Sequence, residues 1–169
     1  MNSVRKIVLI AFWGLLVAII VYPLLHESGH SLFAIVLGAE VIEYKLWPLP
    51  YVLCNMKDLS STSQIIVGAG GVLLPILFSA CISQRIFWIW YCNMILIGIE
   101  ALSVLMSLAA IIFFDIGCPI TNEDMTTMLR IDPSAKTVLF ALTLCLLCWL
   151  IRMIIKNKPL ARLKEYLLN

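Results

Sequence analysis

Four long runs of apolar residues dominate the chain, and shorter stretches richer in polar residues separate them. The runs cover residues 7–37, 65–82, 86–114 and 137–155. About 20 helical residues cross the roughly 30 Å hydrocarbon core of a bilayer, so each run is long enough, or nearly so, to span it. The pattern predicts an all-α polytopic membrane protein with about four transmembrane helices, forming a single domain over residues 1–169.

The two longer connections between the runs have patterns of their own. In the first, side-chain character alternates over residues 41–47 as in a half-buried strand, and after two prolines residues 51–54 can return as a second strand. We therefore expect a short extracytoplasmic segment resembling a β-hairpin. In the second, Asn122 is a suitable N-cap for a short helix that ends near Arg130.

The composition supports lipid as the main solvent of this protein. Apolar residues make up 62% of the 169 residues, charged residues 13%, and the mean hydropathy is +1.02. A soluble domain of this length buries only about 70% of the surface of its unfolded chain, too little to hide so many apolar side chains. We expect the bilayer as a partner and no nucleic acid, because the basic residues form no patch. Cys145 and Cys148 are expected to be buried small hydrophobic residues.

The positions of lysine and arginine predict the orientation. Basic residues precede the first run, lie between the second and third, and lie at or after the end of the fourth: Arg5, Lys6, Arg85, Arg152, Lys156, Lys158, Arg162 and Lys164. The two longer connections carry more acids than bases. Both termini are therefore expected on the cytoplasmic side, in a bacterial cell membrane.

The only two histidines, His26 and His30, lie four residues apart within the first apolar run. On a helix this spacing places both rings on one face, where they can share a tetrahedral zinc at about 2.0–2.1 Å. Glu27 can then act as a general base on a metal-bound water without binding the metal, which is why H-E-x-x-H on a helix is a metallopeptidase signature. Inserting a charged side chain at the bilayer centre costs about 2.5–3.5 kcal/mol, so three ionisable side chains within an apolar run favour a functional site. The alternative is a purely structural His-Glu-His cluster.

The sequence His-Glu-Ser-Gly-His at 26–30, continuing to residue 41, resembles the M50 (site-2 protease) family of intramembrane zinc metallopeptidases. It is most similar to the minimal M50B-like members. The extended segment at 41–56 and the glycines at 68, 70 and 71 follow in the same order, so the resemblance covers about residues 15–130. It implies a zinc-dependent endopeptidase with one zinc per chain that cleaves a membrane-associated peptide or protein.

The resemblance also implies an aspartate as the third zinc ligand, and Asp124 matches that position, although the flanking proline and glycine of larger members are missing. His26 lies about 28 Å along a helix from Ile7, near the outer boundary of the membrane. Asp124 follows an outer loop, so the histidines and Asp124 can meet at the outer face. Asp115 and Asp132 lie on that face too. Asp124 is alternatively a first-turn acid stabilised by the helix dipole, as Glu123 is expected to be.

A polar stripe runs along one face of the third predicted helix and contains an acid. Its members are Asn93, Glu100, Ser103 and Ser107. We expect Glu100 to be an outer-shell partner of a zinc-bound histidine or, with Asn93, to line the substrate path. The alternatives for Glu100 are direct zinc ligation and structural hydrogen bonding.

Two other classes of protein fit the same pattern. Four spans with an intramembrane acid also suit a membrane metal-binding or transport protein that hydrolyses nothing. The third class is an inactive scaffold related to the peptidases. Glu27 favours the enzyme, because neither of the other classes needs a base beside the first histidine.

Overall fold

The computed structural model describes residues 3–48, 50–82, 84–121 and 123–168. Its helices are α1 (Ser3–Leu16), α2 (Tyr22–Val36), α3 (Ser61–Cys81), α4 (Phe87–Asp115), α5 (Asp124–Ile131), α6 (Lys136–Asn157) and α7 (Pro159–Leu168). The strands β1 (Glu40–Lys45) and β2 (Tyr51–Asn55) form one antiparallel hairpin. A π-helical segment, Val17–Val21, joins α1 to α2, and a 3₁₀ turn, Pro133–Ala135, precedes α6.

Among the described residues, four helical stretches are long and apolar enough to cross a membrane: Ser3–Val36, Ser61–Cys81, Phe87–Asp115 and Pro133–Leu168. The predicted helical architecture with a small hairpin is confirmed at this level. The prediction that Cys145 and Cys148 are buried is wrong, because both are exposed on α6. Helix α6 turns only a narrow face towards the bundle, marked by its buried residues Leu139, Thr143 and Leu150.

Pro23 changes the geometry of the first long helix. Proline has no amide hydrogen, and its ring collides with the carbonyl four residues earlier in an α-helix. The turn before it widens, so that the amide of Tyr22 donates to the carbonyl of Val17 five residues back. The chain nevertheless continues as one long helix, and His26 and His30 lie in the first two turns after the proline.

Helices α2 and α3 approach each other at backbone contact distance. A Cβ built on Gly29 would collide with the carbonyl of Gly70, and one on Gly70 would lie 2.6 Å from the carbonyl oxygen of Gly29. Small residues allow membrane helices to pack this closely. Gly71 also faces α2, whereas Gly68 faces Met128 of α5.

The hairpin packs over the middle of α2. The hydroxyl of Tyr44 in β1 donates to the carbonyl of Leu24 at 3.3 Å and accepts a hydrogen bond from Ser28 at 2.9 Å. The expectation that the first strand is half-buried is wrong, because β1 is exposed apart from Val41. Tyr44 nevertheless joins β1 to α2, and the alternate residues Val52 and Cys54 of β2 are partly buried.

The two termini lie at the same end of the bundle. Lys6 of α1 is buried and donates to the carbonyl of Tyr166 in α7 at 3.0 Å. Arg162 donates to the carbonyl of Gln84, in the link between α3 and α4, at 3.1 Å. These contacts bring basic residues from distant parts of the chain to one end.

The contact between α2 and α3 yields a stability prediction. We expect Gly70→Ala to lower the free energy of unfolding by about 1–3 kcal/mol, because the added methyl group forces two backbones apart. Gly98→Ala is the matched control, since a Cβ there meets nothing within 4 Å. Thermal unfolding in detergent should show a lower midpoint for Gly70→Ala only. Equal midpoints for the two variants would contradict the tight packing.

Candidate metal centre

Helix α2 presents both histidines on the face that packs against α3. The two Nε2 atoms lie 3.3 Å apart, and His30 is buried while His26 is partly buried. Helical geometry accounts for the pairing, because residues four apart stack one above the other on the same face. The spacing seen in the sequence therefore produces two imidazole nitrogens directed at one point.

Helix α5 brings Asp124 to these nitrogens. Oxygen Oδ2 of Asp124 lies 3.2 Å from Nε2 of His26 and 3.4 Å from Nε2 of His30. The buried residues of α5 fix which side of this short helix faces inwards: Met125, Thr126, Met128 and Leu129. His26, His30 and Asp124 are the one group of potential metal ligands that meets within 4.8 Å in the described part of the chain.

The spacing of the three atoms fits a tetrahedral metal ion. Two ligands that are each 2.0–2.1 Å from zinc lie roughly 3.3–3.4 Å apart at the tetrahedral angle. The three observed separations are 3.2, 3.3 and 3.4 Å. Two nitrogen lone pairs and a carboxylate oxygen repel one another at such distances unless a proton or a metal cation lies between them. The donor set therefore fits zinc in geometry and in chemistry.

The ring of His30 is oriented for ligation. Its Nδ1 lies 2.9 Å from the carbonyl oxygen of Val67 in α3, which can only accept a hydrogen bond. Nδ1 therefore carries a hydrogen, and Nε2 is the nitrogen that faces Asp124. This is the usual way in which an outer-shell carbonyl fixes the tautomer of a metal ligand. Gly71 leaves room beside both rings, since a Cβ there would collide with His30 and lie 2.7 Å from Cε1 of His26.

The charge of Asp124 suits a metal ligand. Burial alone would raise its pKa, but hydrogen bonds from His26 and His30 outweigh burial and hold the pKa of Asp124 well below its ordinary value. The carboxyl group is therefore ionised at neutral pH. An anionic oxygen is the form that binds a divalent cation.

The other candidate acids lie elsewhere. Asp115 pairs with Lys136 at 2.9 Å, and Asp132 accepts hydrogen bonds from the amide and hydroxyl of Ser134. Both side chains are thus engaged away from the histidines. Of the acids at the outer end that the sequence left open, the fold brings Asp124 to the site.

Glu100 is fully buried in α4, and its carboxyl oxygens have no hydrogen-bond partner among the described residues. It makes no direct hydrogen bond to either histidine. The Nδ1 atom of His26 is likewise buried with no hydrogen-bond partner among the described residues. Tyr22 connects the two regions: its ring lies 5.6 Å from that of His26, and its hydroxyl lies near Ser103 and Glu100. Its aromatic ring, four residues before His26, is the signal that sequence reasoning missed.

Asn93 does not line the cleft beside the histidines. Its amide donates to the carbonyl of Ser79 at 3.1 Å and ties α4 to α3. The polar residues of α4 therefore have different surroundings. Asn93 joins two helices, Glu100 lies near Tyr22, and Ser107 contacts the start of α5.

A cleft of about 460 Å³ opens over the three ligands. Its walls come from α2, the hairpin, α3 and α5: His26, Glu27, His30, Pro50, Tyr51, Val52, Cys54, Met56, Gln64, Val67, Gly68, Asp124, Thr127, Met128 and Ile131. This volume is within the range of ligand pockets in proteins. Glu27 lies in the cleft, close to the backbone of Val52 in β2.

Comparison with family models, curated proteins and solved structures finds no match for this chain. The resemblance to the site-2 protease family therefore stays an expectation carried by the motif residues.

Zinc content tests this centre directly. We expect wild-type protein purified in detergent and supplemented with zinc to carry about one ion per chain. His26→Ala and Asp124→Ala should each lose it, and Glu100→Ala should keep it because Glu100 makes no hydrogen bond to either histidine. Elemental analysis after gel filtration gives the ratio. Retention in Asp124→Ala with loss in Glu100→Ala would move the third ligand into α4.

Proposed function

We propose that this protein is a zinc-dependent membrane endopeptidase that cleaves a membrane-associated peptide or protein. The observation that carries the proposal is the triangle of His26, His30 and Asp124, whose edges of 3.2–3.4 Å match a face of a zinc tetrahedron. A non-ligand carboxylate, Glu27, lies beside it in the same cleft. Three ligands leave one tetrahedral position open, as in catalytic rather than structural zinc sites.

His30 and Asp124 make different contributions to the proposed zinc site. His30 is fixed by Val67, and Asp124 supplies the negative charge. A zinc ion bound there supplies Lewis acidity, which makes water a nucleophile near neutral pH and polarises a peptide carbonyl. The two histidines and the aspartate remain deprotonated while they bind.

Glu27 is the proposed general base. It takes a proton from the water that attacks the peptide carbonyl and holds this proton on its carboxyl group. It then delivers the proton to the nitrogen of the leaving amine as the carbon–nitrogen bond breaks. Glu27 and Val52 line the same cleft, which supports the proposal because the base then faces the space that a substrate would occupy.

The hairpin is the proposed platform for the substrate. Helical peptide bonds must become extended before hydrolysis, and an exposed strand edge can pair with an extended chain. Strand β2 lines the cleft through Val52 and Cys54, and in the two-stranded sheet it pairs with β1 along one edge. A membrane-associated substrate that lies along this edge would place its backbone beside Glu27.

A non-hydrolytic metal-binding or transport protein is the second candidate, and the buried carboxyl of Glu100 is the observation that favours it. The two candidate functions differ in whether they require Glu27 as a base. A transporter needs the ligands and a path for the ion. An endopeptidase needs the base as well.

Glu27→Gln separates these candidates. Glutamine keeps the shape of the side chain but cannot take the proton, so we expect cleavage to fall by about 10²-fold or more. Zinc content should stay at the wild-type level because Glu27 is not a ligand. Cleavage is measured by co-reconstituting the protein with a panel of single-span membrane proteins and identifying new termini by mass spectrometry.

The control is Glu40→Gln, which removes one acid from an exposed position at the start of β1. It should cleave like the wild type. Wild-type rates in Glu27→Gln would contradict the proposed mechanism. Zinc-loaded wild type that cleaves nothing while zinc crosses the liposome membrane would favour the transporter.

A further inference from the structure

Two consecutive acids begin α5, and they have different partners. Glu123 is the N-cap: its Oε2 accepts a hydrogen bond from the amide of Thr126 at 2.9 Å. Its Oε1 accepts one from the hydroxyl of Ser107 in α4 at 3.0 Å. Asp124 instead directs its carboxylate at His26 and His30. The sequence predicted Asn122 as the cap, a residue outside the described ones, and took Glu123 for a first-turn acid.

Helix α5 depends on its surroundings for its position. It has eight residues, and a helix of that length is unstable in isolation. Its buried apolar residues Met125, Met128 and Leu129 pack in a cluster with α4, but apolar contact is non-directional and tolerates sliding or rotation. The hydrogen bond between Glu123 and Ser107 is directional and fixes the first turn against α4.

The cap also determines what Asp124 is free to do. First-turn amides have no acceptor within their own helix, and aspartate is among the best N-cap residues. Without the carboxylate of Glu123, the amide of Thr126 loses its acceptor. Asp124 is the neighbouring carboxylate that can replace it, and capping would draw Asp124 away from the histidines.

We propose that Glu123 is a positioning residue of the metal centre. By capping α5 and bonding to Ser107, it holds the first turn of the helix in place and leaves the carboxylate of Asp124 for the metal. The proposal rests on the zinc centre proposed above. It assigns Glu123 a role in zinc affinity although Glu123 is not itself a ligand.

Zinc affinity tests the proposal without any substrate. Purified wild type and variants in detergent compete with a fluorescent chelator for zinc alone. We expect Glu123→Ala to weaken zinc binding roughly 10- to 100-fold, as loss of an outer-shell partner commonly does. Ser107→Ala should weaken it less, because the cap remains. Glu123→Gln should bind like the wild type, since its oxygen can accept from Thr126 and its amide can donate to Ser107.

The control variant is Glu40→Ala, which removes an exposed acid that lies outside the cleft, and it should bind zinc like the wild type. Wild-type affinity in Glu123→Ala would overturn the proposal. Weak binding in Glu123→Gln equal to that of Glu123→Ala would overturn it too, because the charge and not the contacts would then matter.

Folding defects and failure of the metal centre remain distinguishable. If Glu123→Ala does not fold, Ser107→Ala decides: weaker zinc binding supports the proposal, and unchanged binding overturns it. Wild type that binds no zinc would overturn the metal centre and this proposal together. Wild type that binds zinc but cleaves no substrate would overturn the peptidase and leave the role of Glu123 intact.

Discussion

The contact between the backbones of α2 and α3 at Gly29 and Gly70 is the constraint on which the candidate site depends. Because no side chain separates the two helices there, the carbonyl of Val67 comes within hydrogen-bonding distance of His30. The same approach places Gly71 beside both imidazole rings. A larger residue at either glycine would move α3 away and leave the rings without their orienting partner.

The polar groups of the site lie in a bundle whose other surfaces are mostly apolar. In such surroundings hydrogen bonds provide the directional part of the packing, because contacts between apolar side chains are non-directional. His30 bonds Val67, Tyr44 bonds Leu24, and Glu123 bonds Ser107. Each of these bonds joins two different elements near the histidines, so together they set the distances among ligands, base and cleft.

Two small elements complete the site without being membrane spans. The hairpin supplies one wall of the cleft, including Val52, and α5 supplies Asp124. Neither is long enough to be stable in isolation, since a lone hairpin and an eight-residue helix are both marginal in water. Their positions therefore depend on the surface that the long helices provide. The proposed catalytic arrangement is a product of the assembled bundle.

Four long apolar helices, the hairpin and the pairing of His26 with His30 could be predicted from the sequence. These features follow from local periodicity, which is fixed by 3.6 residues per turn in a helix and two in a strand. The sequence did not determine which acid meets the histidines. Asp115, Asp132 and Asp124 were all expected at the same face, and only the position of α5 against α3 and α4 separates them.

The tertiary structure also decided the roles of groups with no local signature. Glu123 is held by Ser107, which lies on another helix. Tyr22 lies between His26 and the polar stripe of α4, a position that local periodicity does not indicate. Gly29 and Gly70 lie far apart in the sequence, and either glycine alone is compatible with many packings. Periodicity fixes which way a side chain points from its own helix. What it meets there depends on how closely the neighbouring helix can approach, and at this site backbone contact between two glycines sets that distance.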